Sequence, residues 1–309
     1  MVAPVRFGGG HAGVDLVEPG YKITYTAPHS PGEQFILHTM LDAEADEQRV
    51  VLKEDGFSGG VGQVDFSMAE SVNRFGARAT GWHIPAFDGS LDVTVRPGPS
   101  GLPDTVRDWR RAWSHFEDGK LKVVARDGGN REARVRLLSF SDVPGDPAGA
   151  TLHEETVHFV CLDGFWRGPT TRRTGAFEVA VPGDLAPSLR LWWDGETETE
   201  FRLPSGLKVS LSTKPASSPG SWLDDYIIRL PGNDSTGPAK LGPRFINLDR
   251  GMQGQVTTED GRVDSGTWSS LRGVLVGETL TPHRVYSFEL GPGLELWATP
   301  RYLTGPDPR

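Results

Sequence analysis

Residues 104–140 read DTVRDWRRAWSHFEDGKLKVVARDGGNREARVRLLSF, and two periodicities within them set the architecture. In the first half, Val106, Trp109, Trp113 and Phe116 recur at helical spacing and form one apolar stripe. Pro103 precedes the stripe, Thr105-x-x-Asp108 resembles a capping box, and Gly119 suits the residue just past a helix because glycine takes positive φ at little cost. The spacing predicts a helix over about 104–118. In the second half the period falls to two. Residues 120–126 and 134–140 are expected to pair antiparallel about the turn Asp127-Gly128-Gly129-Asn130. Ala133, Val135 and Leu137 then share one face, and Arg134 and Arg136 the other.

Outward from this stretch the helical period does not return. The 39 glycines and 24 prolines are about a fifth of the 309 residues, which cuts the chain into short elements and excludes bundles, coiled coils and helical solenoids. On the N-terminal side, 21–25, 49–53, 64–68 and 91–95 read as strands, the last after the turn signal Asp88-Gly89. A glycine cluster at 56–62 and a basic stretch at 71–83 lie among them. On the C-terminal side, 157–161 alternates and ends at Asp163-Gly164-Phe165-Trp166, and Gly168-Pro169 marks a boundary. Beyond it the strands expected are 177–181, 189–193, 207–211, 226–230, 245–248, 285–290 and 294–299, a spacing that fits a β-sandwich. The expected class is all-β with one short helix. One domain would cover 1–168, and a second 169–309, ending in a short polar tail.

Composition narrows the function. A net charge of −9 argues against nucleic-acid binding and against an anionic membrane surface. A single cysteine, Cys161, excludes an intrachain disulfide framework and a cysteine zinc cluster. The opening MVAPVRFGGG has no apolar h-region, and no apolar run is long enough to span a bilayer, so the expected product is soluble and made in a cytoplasm, without membrane insertion.

Catalytic patterns are incomplete. Gly56-Phe57-Ser58-Gly59-Gly60 matches G-x-S-x-G, but the helix that should follow is replaced by more glycines, so a glycine-rich loop is the favoured reading. Gly60-Val61-Gly62 lacks the third glycine of a dinucleotide fingerprint. His153 and His158 fall on opposite faces of a strand, a poor chelate. No catalytic residue, cofactor or metal is therefore expected. The pairs Glu154-Glu155 and Asp224-Asp225 are adjacent acids, which point to opposite sides of a strand and do not make a glycosidase pair. In Trp192-Trp193 one side chain must face inward and the other outward, and the outward one is a candidate for glycan contact.

The order of several phrases carries a resemblance. Arg74-Phe75-Gly76-Ala77-Arg78 leads into Ile84-Pro85-Ala86-Phe87-Asp88-Gly89-Ser90-Leu91-Asp92-Val93. The Trp109–Trp113 helix precedes Gly119-Lys120-Leu121. Phe159-Val160-Cys161-Leu162-Asp163-Gly164-Phe165-Trp166 closes the first domain, and Leu294-Glu295-Leu296-Trp297-Ala298-Thr299-Pro300-Arg301-Tyr302 the second. In this order the chain resembles the distal tail and related minor tail proteins of long, non-contractile-tailed bacteriophages, those of actinobacteria in particular. That family often has Asp-Pro where this chain has Asp163-Gly164, and the first 47 residues carry no feature of the family.

The resemblance implies an N-terminal domain that assembles into a ring, expected to be a hexamer, and a C-terminal galectin-like sandwich. The protein would be a structural part of the virion tail tip. Its partners would be its own copies, the tail tube, the tape measure and the tail-tip hub or adhesin. Candidate interface residues are Gly59, Gly60 and Gly62, in a glycine-rich arm, with Arg74 and Arg78 beside them. A carbohydrate-binding adhesin that contacts host-wall glycan through Trp192 or Trp193 is the second reading, and a cell-wall hydrolase the third.

Overall fold

A computed structural model of the chain describes residues 5–6, 22–39, 44, 48–70, 77–125, 129–141, 151–212, 242–249, 252, 254–271 and 277–306. The expected strand at 226–230, the pair Asp224-Asp225 and Arg74 lie outside these residues. The chain divides into two compact units, one of residues 9–169 and 301–309 and one of residues 1–8 and 170–300. The structure is mostly strand, as its periodicities imply.

In chain order the strands up to residue 167 are β1 (Val5–Arg6), β2 (Lys22–Thr26), β3 (Gln34–His38), β4 (Val50–Gly59), β5 (Asp65–Glu70), β6 (Ala77–His83), β7 (Phe87–Val95), β8 (Gly119–Val124), β9 (Asn130–Phe140), β10 (His153–Cys161) and β11 (Trp166–Arg167). Helix α1 (Leu102–Arg111) joins β7 to β8.

In the first unit β3, β2, β8, β9, β10, β7 and β4 pair antiparallel in that order. β9 is the corner strand. Asn130–Val135 pairs with β8, and the register then passes to β10 from Arg136 to Phe140. A long strand that changes partner halfway is how a sandwich turns a corner. Ala133, Val135 and Leu137 face the core as their alternation implies.

The core gathers Ile23, Tyr25, Leu91, Val93, Trp109, Leu121, Phe159 and Trp166, all fully buried. Helix α1 enters it through Val106 and Trp109.

The helix starts and stops earlier than its stripe implies. Gly101, at φ 94, is the N-cap, with Pro103 in the first turn. Thr105 is therefore already helical. Its hydroxyl donates to the Gly101 carbonyl and accepts the Gly98 N–H, so the expected capping box does not form. At the other end the Ser114 hydroxyl accepts the N–H groups of Phe116 and Glu117, a local alternative to helical bonding. The chain leaves the helix, Trp113 stays buried, and Phe116 is 86% exposed, outside the stripe. Gly119 opens β8 instead of ending a helix. A Cβ there would lie 2.5 Å from the Tyr25 hydroxyl oxygen.

Two other turn signals sit inside strands. Gly89 lies within β7 because its missing side chain leaves room for Phe159, whose ring a Cβ would approach to 2.4 Å. The glycine cluster continues β4. Residues 53–56 loop out between Leu52 and Phe57 opposite the single residue Asp92, and pairing resumes to Gly59.

The second unit contains β1, then β12 (Thr171–Arg173), β13 (Ala176–Ala180), β14 (Leu185–Trp193), β15 (Thr199–Arg202), β16 (Lys208–Leu211), β17 (Arg244–Asn247), β18 (Val256–Thr258), β19 (Val285–Leu290) and β20 (Leu294–Tyr302), whose last two residues belong to the first unit. One sheet runs β1-β13-β19-β15-β16, with β1 parallel to β13. The other runs β18-β17-β14-β20, with β12 beside β20. Phe201 and Phe288 from the first sheet and Leu191, Trp193, Ile246 and Leu296 from the second form one buried cluster, so the two sheets pack as a sandwich.

A second helix, α2 (Ser265–Leu271), was not expected. Asp264 precedes it and accepts the N–H of Thr267 at 3.1 Å, the hydroxyl of Thr267 at 2.9 Å and Nε of Arg244 at 2.7 Å. Burial alone pushes the Asp264 carboxyl up, but these donors outweigh it and hold the group below its ordinary 3.8.

Two predictions follow from this packing. Gly119→Ala is expected to cost about 1–3 kcal/mol by overpacking against Tyr25, whereas Gly32→Ala, with nothing within 4 Å of the new Cβ, should change stability by less than about 0.5 kcal/mol. Urea unfolding midpoints compare the two. A carboxylate held below its ordinary value stabilises the fold above that value, and the contribution is lost as pH falls through the lowered one. Asp264→Asn should therefore flatten the loss of second-unit stability below about pH 4, measured by calorimetry across the acid range, with the first unit's transition unchanged.

Candidate functional site

Strands β5 and β6 form a two-stranded ribbon that joins no other sheet among the described residues. Asp65 pairs with His83, Phe66 with Trp82, Ser67 with Gly81, Met68 with Ala79 and Ala69 with Arg78, with a one-residue bulge at Thr80. Residues directly opposite share a face, and residues two apart along a strand share it too. Phe66, Met68, Ala79 and Trp82 therefore line one face, and Asp65, Ser67, Arg78 and His83 the other. The apolar face is open: Phe66 is 58% exposed, Met68 68% and Trp82 60%. On the polar face Nε2 of His83 lies 3.6 Å from Asp65 Oδ2, and Arg78 is exposed.

An isolated hairpin is marginal in water, yet this one stands on a tight root. The chain enters it through Gly60 and Gly62. The Gly60 carbonyl accepts the indole N–H of buried Trp166 at 2.7 Å, and the Gly62 N–H donates to the Leu303 carbonyl at 2.6 Å. Gly164 sits between the two limbs. A Cβ on Gly62 would lie 2.2 Å from the Gly164 carbonyl oxygen, and a Cβ on Gly164 would lie 2.2 Å from the carbonyl oxygen of Pro85, on the limb that leaves the ribbon.

Gly164 also has φ 73. Proline is locked near −65°, so the Asp-Pro of the resembling family has no place in this backbone. The phrase Asp163-Gly164-Phe165-Trp166 is thus the clamp that fixes both limbs. Asp163 itself is engaged by Nη2 of Arg167 at 2.8 Å.

The other sequence candidates fall as follows. Gly59 ends β4 at φ 76, where a Cβ would lie 2.4 Å from the Asp88 carbonyl oxygen, and Gly60 and Gly62 are buried at the ribbon's root. The part of this region that reaches outward is β5–β6. Ser58 lies within β4, with its hydroxyl oxygen 2.8 Å from that of Ser90, and the chain continues as strand, not helix. Glu155 is buried and receives Nε and Nη2 of Arg110 at 2.9 Å each, while Glu154 faces out to Lys53. His153 is buried and His158 exposed on alternate faces of β10. Cys161 is buried, and burial pushes its thiol up.

In the second unit Trp193 is the inward member of the tryptophan pair, fully buried with its indole N–H on the Thr197 carbonyl. Trp192 is the outward member and is half-buried. Among the described residues, no helix is long and apolar enough to cross a membrane and no group of His, Cys, Asp or Glu is placed to hold a metal ion.

No family model and no curated protein matches the chain. Among solved structures it is similar to the SPP1 Dit (gp 19.1) protein, described as a paradigm of hub adsorption apparatus in Gram-positive infecting phages. The two share 13% identity over 90% of this chain and 98% of that one, with a TM-score of 0.52. Two structures of the phage P2 baseplate in its activated conformation, with Ca and with Sr, align at 10% identity over 93% of this chain and 99% of theirs, with TM-scores of 0.49 and 0.48. The Dit likeness is one of fold and spans almost the whole of both chains, so the all-β architecture found here is similar to that of the SPP1 Dit protein.

Proposed function

We propose that the chain is a structural subunit of a phage tail tip that assembles with its own copies into a ring, six-membered by the family resemblance, between the tail tube and the adhesion apparatus. The observation that carries this reading is the β5–β6 ribbon. Three large exposed apolar side chains on one face of a hairpin that, among the described residues, pairs only with itself make a surface that soluble monomers avoid. A neighbouring copy covers that face and pairs or shields its two free edges. Arg78, on the opposite face, stays solvated.

A contact between a projecting ribbon and a different surface of the next copy is head-to-tail, the kind of interface that closes into rings. The likeness to a protein described as a hub adsorption apparatus supports the same assignment. In this reading the first unit builds the ring and the second is a galectin-like sandwich carried by it. The function is assembly, with no bond-making step.

The purified chain is expected to sediment as a closed oligomer, and Phe66→Ser with Trp82→Ser should shift it to monomer while the far-ultraviolet spectrum and unfolding temperature are kept, because neither side chain belongs to the core. Gly62→Ala should also shift it toward monomer by forcing the root apart, but with a lowered unfolding temperature, because its Cβ would lie 2.2 Å from the Gly164 carbonyl oxygen. A wild-type chain that stays monomeric up to high micromolar concentration, or a double variant that assembles as well as wild type, would falsify the ring assignment.

A further inference from the structure

The outer face of the second unit's β18-β17-β14-β20 sheet carries an aromatic and basic surface distinct from the ribbon. Trp192 on β14 is directly opposite Phe245 on β17, so the two share the outward face. Trp297 on β20 shares it as well, since its ring meets that of Phe245 edge-on at 4.9 Å between centroids. Three half-buried aromatic rings thus lie side by side.

Two arginines flank them. The guanidinium of Arg172 lies 3.9 Å from the centre of the Trp297 ring, and that of Arg190 lies 5.4 Å from the centre of the Phe245 ring. Both arginines are exposed, and among the described residues no carboxylate pairs with either. Stacking holds a guanidinium by its face and leaves the N–H donors at its edge directed to solvent, which is the arrangement that recognises carboxylate or phosphate.

One carboxylate belongs to the same surface. Glu295 accepts the Trp297 indole N–H at 2.8 Å through Oε2 and lines an open groove of about 310 Å³ with Trp192 and the turn Gly291-Pro292-Gly293. Its other oxygen is available to a hydroxyl donor. The surface therefore offers flat apolar rings, two cations with no carboxylate partner among the described residues, and one acceptor for hydroxyl groups.

We propose that this face binds an acidic polysaccharide. Sugar rings lie on Trp192 and Trp297, the acid groups meet Arg172 and Arg190, and a ring hydroxyl donates to Glu295. A neutral glycan leaves the two cations unanswered. A plain polyanion offers nothing to the aromatic rings and is repelled at Glu295. The acid group is a carboxylate or a phosphate, since both fit a guanidinium edge. The site is independent of the ring, because it uses the second unit alone.

The test is calorimetric titration of the full chain with polygalacturonate, with a phosphate-bearing mannan, with neutral dextran and with polyglutamate. Saturable binding of either acidic glycan is expected, and which of the two binds identifies the acid group. Arg172→Gln and Arg190→Gln should each weaken it roughly tenfold. The lysine replacements should fall between, since they keep charge and lose the stacked fork. The arginines are exposed and outside the core, so unfolding temperature should not move. The Phe66→Ser/Trp82→Ser chain should bind as wild type does, which separates this outcome from failure of the ring assignment. The proposal is overturned if neither acidic glycan binds, if the double arginine variant binds as tightly as wild type, or if polyglutamate binds equally well.

Discussion

The Trp113 indole lies flat on the Tyr25 ring at 3.9 Å, with the planes 7° apart, and the first unit is organised around that stack. Trp109 meets both rings edge-on, at 5.9 Å to Tyr25 and 5.5 Å to Trp113. The Tyr25 hydroxyl, buried among them, donates to the Ala112 carbonyl at 3.0 Å, just where the helix ends. Burial, with a smaller contribution from Glu33, pushes that phenol well above its ordinary range, so it remains a donor. The ring then reaches the opening of β8, where only glycine leaves it room. One tyrosine on β2 thereby fixes the end of α1, the start of β8 and the register between β2 and β8. Each aromatic contact adds about 0.5–1.5 kcal/mol beyond the area it buries, but the larger effect is that no member can move alone.

That constraint explains what the sequence could and could not convey. The alternation of Ala133, Val135 and Leu137 reports a half-buried strand whatever its partner, and it was legible. So was the sandwich of the second unit, where Leu189, Leu191 and Trp193 keep period two. The end of the helix was not legible. Phe116 continues the stripe arithmetically, but the local Ser114 bonds and the Tyr25 stack end the helix before it, and the stack depends on a strand distant in sequence. Glycine misled for a related reason. Gly89 and Gly119 look like punctuation, and each is instead a space left for an aromatic ring on a neighbouring strand. Short polar strands such as β15, with Thr199-Glu200-Phe201-Arg202, give too few alternations to be seen.

The candidate surfaces were legible to a lesser degree. Parity alone required one of Trp192 and Trp193 to face out, and the leucines preceding them settle which one does. The aromatic platform was not visible, because Phe245 and Trp297 are separated by about fifty residues and meet only after three strands assemble. The ribbon was half visible. The strand expected at 64–68 forms as β5, but the return strand reads as a basic stretch, since apolar alternation is a signal of burial and the ribbon's large apolar side chains Phe66, Met68 and Trp82 are exposed. Gly59, Gly60 and Gly62 read as a glycine-rich arm, and in the structure Gly59 ends β4 while Gly60 and Gly62 are held at the ribbon's base.

A stiff base is what a closed ring demands. In a head-to-tail ring every interface repeats the same rotation, and an angular error at one is multiplied by the number of subunits before the ends meet. A ribbon on a loose hinge would offer many angles, and its ordering would have to be met from the binding energy of each contact. The root removes that freedom in advance. Trp166 holds Gly60, Leu303 holds Gly62, and Gly164 is wedged between both limbs with no side chain to spare. Trp166 is a fully buried member of the unit's core, so the ribbon's root is tied directly to that core. In the proposed ring the exposed face is then weak in isolation and specific on assembly, because its direction is fixed before any neighbour arrives.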